Sequence, residues 1–475
     1  MRILGPKLAF CGLFLLNFSL LHGQKQWTLA ECIDTALERN IQLKQSALQI
    51  ELTENTQEQR VAGLFPTVNG SAGYGWNFGL NIDPVTNLAS RDNRQTNNLS
   101  LNAQWTLFDG LQNVNSLAQS RIDHAAQLYQ LEDVRNNTAL NVASLYLQVL
   151  LNTEILRIAE EQEKLSEVQV RRTADLVETG SLPKGNLYDN EAQLARDHQS
   201  SVSAKNQLNI SKLRLAQAMQ MNRAQELEVA PVPDISPDAG IIALGPDRIY
   251  ESALQNQPNI KSRELQLESA DKGVSVSRGS GWPTLSLVGS IGTNYSNQVR
   301  SFSVIDQPPS LIGATESGEN VFNFGSATFE SGDVKPFWDQ YQDNVNEFVG
   351  LNLQIPIFSG LQIRNGIRSA QISRTQAELN LTNERNTLRQ TIQQAHADAL
   401  AAYETFQATE RSVEAGAESF EYARVRYENG VINFFEYENA RNRLTSAKAQ
   451  LAQARYDWIF RVKTLEFYLN GSLQP

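Results

Sequence analysis

The chain has 475 residues, and its 41 Lys and Arg against 52 Asp and Glu leave a formal charge of −11 that repels phosphate backbones and argues against nucleic acid as a partner. Two cysteines are too few for a disulfide framework or a cysteine-based metal cluster. The four histidines, His22, His124, His198 and His396, are scattered, and there is no His-Glu-x-x-His pair, phosphate-cradling glycine loop or Gly-x-Ser-x-Gly turn, so neither an enzyme nor a cofactor is expected.

In chain order, Arg2 and Lys7, the apolar run Leu8–Leu21 and a cleavage point after Gly23 read as a signal peptide over residues 1–23. The run falls short of the roughly 20 residues that a spanning helix needs. Cys11 lies inside this leader behind the bulky Phe10, which argues against lipidation and leaves Cys32 as a buried, inert thiol. Beyond the leader no segment offers 18 consecutive apolar residues, which excludes a helical span, so any membrane crossing must use strands.

The rest of the chain contains itself twice. Ala36–Asn40 resembles Ala253–Gln257 and Phe65–Val68 resembles Trp282–Leu285, both about 217 residues apart. Trp105–Gln112 resembles Ile355–Gln362 about 250 residues on, and Gly180 and Gly430 keep that spacing. The jump places an insertion at residues 301–334, where Pro308, Pro309, Gly313, Gly318, Gly325 and Gly332 predict an extended loop. Residues 24–228 therefore form a first repeat and 247–475 a second. The Pro-rich stretch 229–246, with Pro231, Pro233, Pro237 and Gly240, links them.

Each repeat carries two strand patterns, within about 66–109 and about 283–358. Val68, Ala72, Tyr74 and Trp76 alternate with Asn69, Ser71 and Asn77; Leu99, Leu101, Ala103 and Trp105 alternate with Asn98, Ser100, Asn102 and Gln104. Leu285, Leu287 and Ile291 oppose Thr284, Ser286 and Ser290, and Val349, Leu351 and Leu353 oppose Gly350, Asn352 and Gln354, with Glu347 and Phe348 breaking the last run. Runs of about 10 residues suit tilted membrane strands, with one face to lipid and one to water. The polar faces carry almost only uncharged residues, unlike the solvent face of a soluble sheet. Four strands cannot close a barrel, so oligomerisation is required; two copies would give eight strands and three would give twelve.

After Asp109 and Ser359, which are suited to N-capping, roughly 70 residues run without proline to Gly180 and Gly430, enough for helices of about 100 Å. Leu388, Ile392, Ala395, Ala399, Ala402, Phe406, Thr409, Val413, Gly416 and Phe420 keep coiled-coil spacing, and Leu444, Ala447, Leu451, Ala454 and Trp458 continue it on the returning helix.

The tandem copy, the Phe65-Pro66 and Trp282-Pro283 strand starts, the Phe108-Asp109-Gly110 and Phe358-Ser359-Gly360 exits and the tips near Gly180 and Gly430 together resemble the outer-membrane efflux proteins typified by TolC. The resemblance implies a mixed α and β membrane protein: a homotrimer whose twelve strands, four per protomer, form a transmembrane β-barrel continuous with a long periplasmic α-helical barrel. It implies an outer-membrane location in contact with lipid, a periplasmic adaptor of the membrane fusion type, and an inner-membrane transporter of RND, ABC or MFS type. The duct would be passive, serving efflux or type I secretion. By the same resemblance the narrow end is gated by acidic residues after the second tip glycine, which places Glu436 at the first such position and Asn439 at the second; Asp189 in the first copy could add charge. Gly180, Gly430, Arg426 and Tyr427 are the adaptor-docking positions it suggests. The rivals are a passive porin, which would be mostly strand, and a periplasmic coiled-coil adaptor or scaffold without a barrel, which would dissolve without detergent.

Overall fold

A computed structural model describes residues 26–82, 89–91, 93–221, 227–231, 240–305, 308–323 and 328–472. The expected signal peptide, Pro233 and Pro237 of the linker, Gly325 and the C-terminal Leu473–Pro475 lie outside the described residues.

The principal elements are α1 (Leu29–Arg39), α2 (Ile41–Ala62), β1 (Thr67–Asn77), β2 (Arg94–Phe108), α3 (Gln112–Glu178), α4 (Lys184–Ala218), α5 (Pro246–Asn256), α6 (Pro258–Gly279), β3 (Thr284–Ser296), β4 (Asn346–Gln354), α7 (Gln362–Glu428) and α8 (Phe434–Asn470). They form two compact units. The first comprises residues up to Gln49, Gln127–Ser262 and those from Thr382 on; the second comprises Ile50–Ala126 and Arg263–Leu381.

In the second unit the four strands make one antiparallel sheet in the order β4-β3-β2-β1, a meander that leaves β1 and β4 as open edges. The register sorts the faces as the alternation requires. Val68, Ala103, Gly289 and Val349 stand in one row, and Asn69, Asn102, Ser290 and Phe348 in the next. Glu347 lies opposite Ile291 and Phe348 opposite Ser290, so the break noted in the fourth run puts an acid on the apolar side and an aromatic on the polar side. Gly350 makes room for that ring, since a Cβ there would lie 2.7 Å from Phe348 Cζ. The apolar side is bare, with Val68, Trp76, Val349, Leu351 and Leu353 all more than half exposed.

Residues 301–334 are not the plain loop expected. Arg300–Ile305 pairs with Thr328–Val334, and Ser310–Ala314 pairs with Asn320–Asn323. The glycine and proline pattern marks turns between short strands rather than one long excursion: Gly318, at φ +84°, closes the second ribbon with its amide on the Thr315 carbonyl. A short helix, Phe337–Asp343, follows, and its fully buried Gln340 exchanges hydrogen bonds with the Ser296 backbone at 3.0 Å each way, finishing the end of β3 as a strand would.

The strand-to-helix handovers also differ from the simple caps expected. Gly110 and Leu111 adopt φ +69° and +66°, and Gly360 and Leu361 adopt +57° and +66°, so each chain turns through two left-handed residues before its helix begins. Asp109 still accepts the Asn113 amide at 2.9 Å, whereas Ser359 offers its backbone carbonyl to Gln362.

The first unit packs through apolar seams. Leu388, Ile392, Ala395, Ala399 and Ala402 of α7 meet Trp458, Val462 and Leu465 of α8 and Ile249, Ala253 and Ile260 of α5 and α6. A second cluster joins Cys32 and Ala36 of α1 to Val142, Tyr146 and Val149 of α3 and Leu208 and Leu215 of α4. Thr28 and Glu31 start α1 with a reciprocal capping box. The Tyr146 hydroxyl lies 2.6 Å from the Ala230 carbonyl and 3.1 Å from that of Trp27, tying down the two-residue parallel pair Gln26–Trp27 and Glu228–Val229, and burial pushes its pKa up to about 12. One stretch of α3 is long and apolar enough by composition to cross a membrane, which qualifies the exclusion drawn from uninterrupted apolar runs; its Val142, Tyr146 and Val149 are instead built into this core.

Candidate functional site

The two helical hairpins of the first unit end in matched turns. Gly180 and Gly430 adopt φ +74° and +70°, a conformation that glycine takes without strain. At the first tip the Ser181 amide reaches the Leu176 carbonyl at 2.8 Å and the Gly180 amide reaches Val177 at 3.0 Å. The second tip repeats this with Val431 on Arg426 at 2.8 Å and Gly430 on Tyr427 at 3.0 Å, a Schellman closure at both. A Cβ at either glycine would meet nothing within 4 Å, so the requirement is conformational and not steric.

Between the hairpins lies a cleft of about 920 Å³. It is lined by Asp189, Tyr427, Gly430 and Asn439 among the sequence-predicted positions, together with Arg172, Arg196, Glu428 and Glu438. Tyr427, Phe434 and Phe435 are its aromatic lining. Tyr427 stacks on Tyr437 at 4.8 Å, receives a hydrogen bond from Gln169 at 3.1 Å, and is pushed above the ordinary tyrosine range by burial. Arg172 and Glu428 stand 3.6 Å apart across the two hairpins.

The remaining predicted residues sit outside this lining. Glu436 is exposed in the first turn of α8, where the Asn433 side chain caps its amide at 2.9 Å. Arg426 is exposed one residue before Tyr427, and Gly180 belongs to the first turn. Asp189 and Asn439 are exposed at the cleft, while Glu436 is not part of its lining.

Behind the cleft is a buried charge network that sequence reasoning did not single out. Arg441, 2% exposed, pairs with Asp197 at 3.0 Å and Glu438 at 2.6 Å. Ser166 donates to Asp197, and Gln193 donates to its other oxygen at 2.9 Å. Burial pushes the Glu438 carboxyl up to about 7, against the pull of Arg441 and with the push of Asp197. Among the described residues Glu438 Oε1 and Arg441 Nη1 meet no hydrogen-bond partner, so the network is incompletely satisfied there. Its signal in the sequence was phase: Arg441 falls three residues before Leu444, on the stripe that packs α8 inward. Among the described residues no cluster of His, Cys, Asp or Glu could hold a metal ion.

The chain is similar to known proteins in sequence and in fold. The family model described as outer membrane efflux protein matches residues 32–219 and 249–471. Protein CyaE of Bordetella pertussis is 26% identical over 445 residues, covering 91% of this chain and 78% of its own. Outer membrane efflux protein BepC of Brucella suis is 22% identical over 448 residues, covering 93% and 86%. The crystal structure of the Campylobacter jejuni CmeC outer membrane channel shares the fold with a TM-score of 0.73 at 17% identity, covering 94% of this chain and 86% of that one. Matched over both halves and through both tips, the chain belongs to the outer membrane efflux protein family.

Proposed function

We propose that this chain is one of three identical protomers of a passive exit duct in the outer membrane, receiving substrate from an inner-membrane transporter through a periplasmic adaptor. Tandem repeats at 24–228 and 247–475, joined by the linker 229–246, would give each protomer four strands and two long helical hairpins. Three copies would close a twelve-stranded barrel and surround a helical tunnel, with Gly180, Arg426, Tyr427 and Gly430 facing the adaptor and Glu436, with Asp189 and Asn439, near the narrow end. The transporter would supply the energy, and no step of chemistry is assigned to the duct.

One observation carries the reading: a four-stranded sheet whose apolar side is bare and whose two edges are unpaired among the described residues. In hydrocarbon each unpaired backbone group costs several kcal/mol, so such a sheet is stable there only when copies pool their edges into a closed cylinder. The polar side, built from Asn, Ser, Thr and Gln, suits a water-filled lumen. The family match and the structural likeness support the same assignment.

The test is reconstitution of the full chain in planar bilayers with its oligomeric state measured in the same detergent. Stable trimers that conduct ions are expected. A monomer that dissolves without detergent and passes no current would instead fit a periplasmic scaffold. Deletion in the native host should then separate efflux, read as hypersensitivity to toxic compounds, from secretion, read as loss of a secreted protein.

A further inference from the structure

The handover from β4 to α7 exposes an unusual combination of groups. Ile357 is 94% exposed and Phe358 84%, and with Leu361, Arg364, Ile367 and Arg368 they line a groove of about 630 Å³. Arg364 and Arg368 stand one helical turn apart on an exposed face and, among the described residues, have no ion pair or hydrogen bond. On the other flank of the same helix Arg374 is held by Asp271 of α6 at 3.0 Å, so the free arginines are not simply where acids are scarce.

A second copy of the chain is the obvious cover for a bare surface, and the handover from β2 to α3 argues against it. That turn has the same pair of left-handed residues and the same first hydrogen bond, Asn115 to Leu111 at 3.0 Å against Asn365 to Leu361 at 2.9 Å. There both neighbouring helices are already in place. Thr53 of α2 lies 3.2 Å from His124, Ser269 of α6 bonds Asp123 at 2.5 Å, and Gly279 packs so closely that a Cβ on it would lie 2.7 Å from the Gly110 oxygen. Even so Leu107, Leu111 and Val114 stay between 44% and 56% exposed, whereas Phe108, the counterpart of Phe358, is 39% exposed. The first three are the positions that Ile357, Leu361 and Arg364 occupy in the second handover. The face they share therefore points away from the helix-to-helix seams, and in the second handover alone it carries arginine.

We propose that this groove binds the phosphate headgroup of an anionic glycerophospholipid at the helical rim of the barrel, an inference that rests on the membrane reading above. The acyl chain lies along Ile357 and Leu361, which removes their apolar surface from water. Arg364 and Arg368 form charge-assisted hydrogen bonds to the phosphate oxygens while their stems cover the same apolar wall. Val114 and Ala118 stand at the corresponding places of the first handover, so the sites alternate, one per protomer.

The test uses the full-length oligomer in nanodiscs of phosphatidylcholine with and without phosphatidylglycerol, with retained lipids counted by native mass spectrometry. The wild type should prefer phosphatidylglycerol by about thirty-fold, about five-fold for each arginine near the surface. R364Q/R368Q should fall to parity, Arg411→Gln on the long helix should change nothing, and Val114→Arg with Ala118→Arg should add lipid. An unchanged preference in R364Q/R368Q, or complete displacement by millimolar inorganic phosphate, overturns the lipid site. A conducting oligomer without lipid preference overturns this inference alone, whereas a chain that stays out of the bilayer overturns the duct as well.

Discussion

The long helices of the first unit pack in two different ways at two places. Midway, α7 and α8 meet through Ile392, Ala399, Trp458, Val462 and Leu465, with no charge among them. Near the tips the same layer is held by Ser166, Thr173, Asn190, Gln193, Asp197, Glu438 and Arg441, all buried. Apolar seams gain by removing surface from water and tolerate small shifts, because dispersion has no direction. A buried ion network gains only when every partner is in place, and two of its atoms here are not satisfied. The difference leaves the middle of the bundle with a stability that does not depend on charge and its end with one that depends on every charged partner being present.

The sharpest way to break that contrast is to remove the central cation. Arg441→Leu should destabilise the tip by about 3–5 kcal/mol, because Asp197 is left as an uncompensated buried charge and Glu438, already raised by burial, must take up a proton. Adding Asp197→Asn and Glu438→Gln should recover much of the loss, since an apolar and neutral replacement of a whole buried pair is often close to neutral. Hydrogen exchange resolved to peptides around 190–201 and 438–445 measures both. Somewhat smaller is Ile392→Ala in the apolar seam, expected at about 2–5 kcal/mol from lost transfer and a residual cavity, with no rescue by any change of charge. Equal rescue at both places would dissolve the distinction.

How much of this was legible beforehand depended on whether the signal was local. The strand alternation from Val68 to Trp76 is fixed by a two-residue period, and the sheet register follows it. Gly180 and Gly430 were readable because a left-handed residue closing a helix is so often glycine. Leu111 and Leu361 were not, since leucine at φ +66° contradicts its own preference and only the surrounding turn imposes it. β2 begins at Arg94, before its apolar pattern does, because Arg94–Asn97 pair with Asn77–Tyr74 through backbone groups that carry no side-chain code. The Asp197–Arg441 contact joins residues 244 positions apart, and no periodicity announces the partner of a buried charge.

A third, smaller effect sharpens the comparison through pH. The Glu438 carboxyl titrates near 4.5 when free and at about 7 in the folded tip, where burial disfavours its charge. Between those values the folded chain binds more protons than the unfolded one, so tip stability falls as pH rises through that window and levels off above 7. Protection of the tip amides should therefore be greater at pH 5 than at pH 7.5, Glu438→Gln should flatten the difference, and the seam around Ile392 should not respond. A seam that tracks the tip would mean that the two regions open together.

The smallest expected effect separates the tip network from the first turn of α8. Asn433 accepts the Glu436 amide at 2.9 Å, one of four amides that the helix start leaves without an internal partner. Asn433→Ala should cost about 1 kcal/mol, which raises exchange of the Phe434–Tyr437 amides about five-fold if that turn frays alone. Arg441 lies on the second turn and draws its partners from Glu438 beside it and Asp197 on α4, so residues 441–447 should keep their protection. Local fraying would mean that the first turn of α8 is held by its cap alone. Fraying that spreads to Arg441 would instead make the cap and the buried charges one cooperative element, and altering Asn433 would then shift the pH response of Glu438 as well.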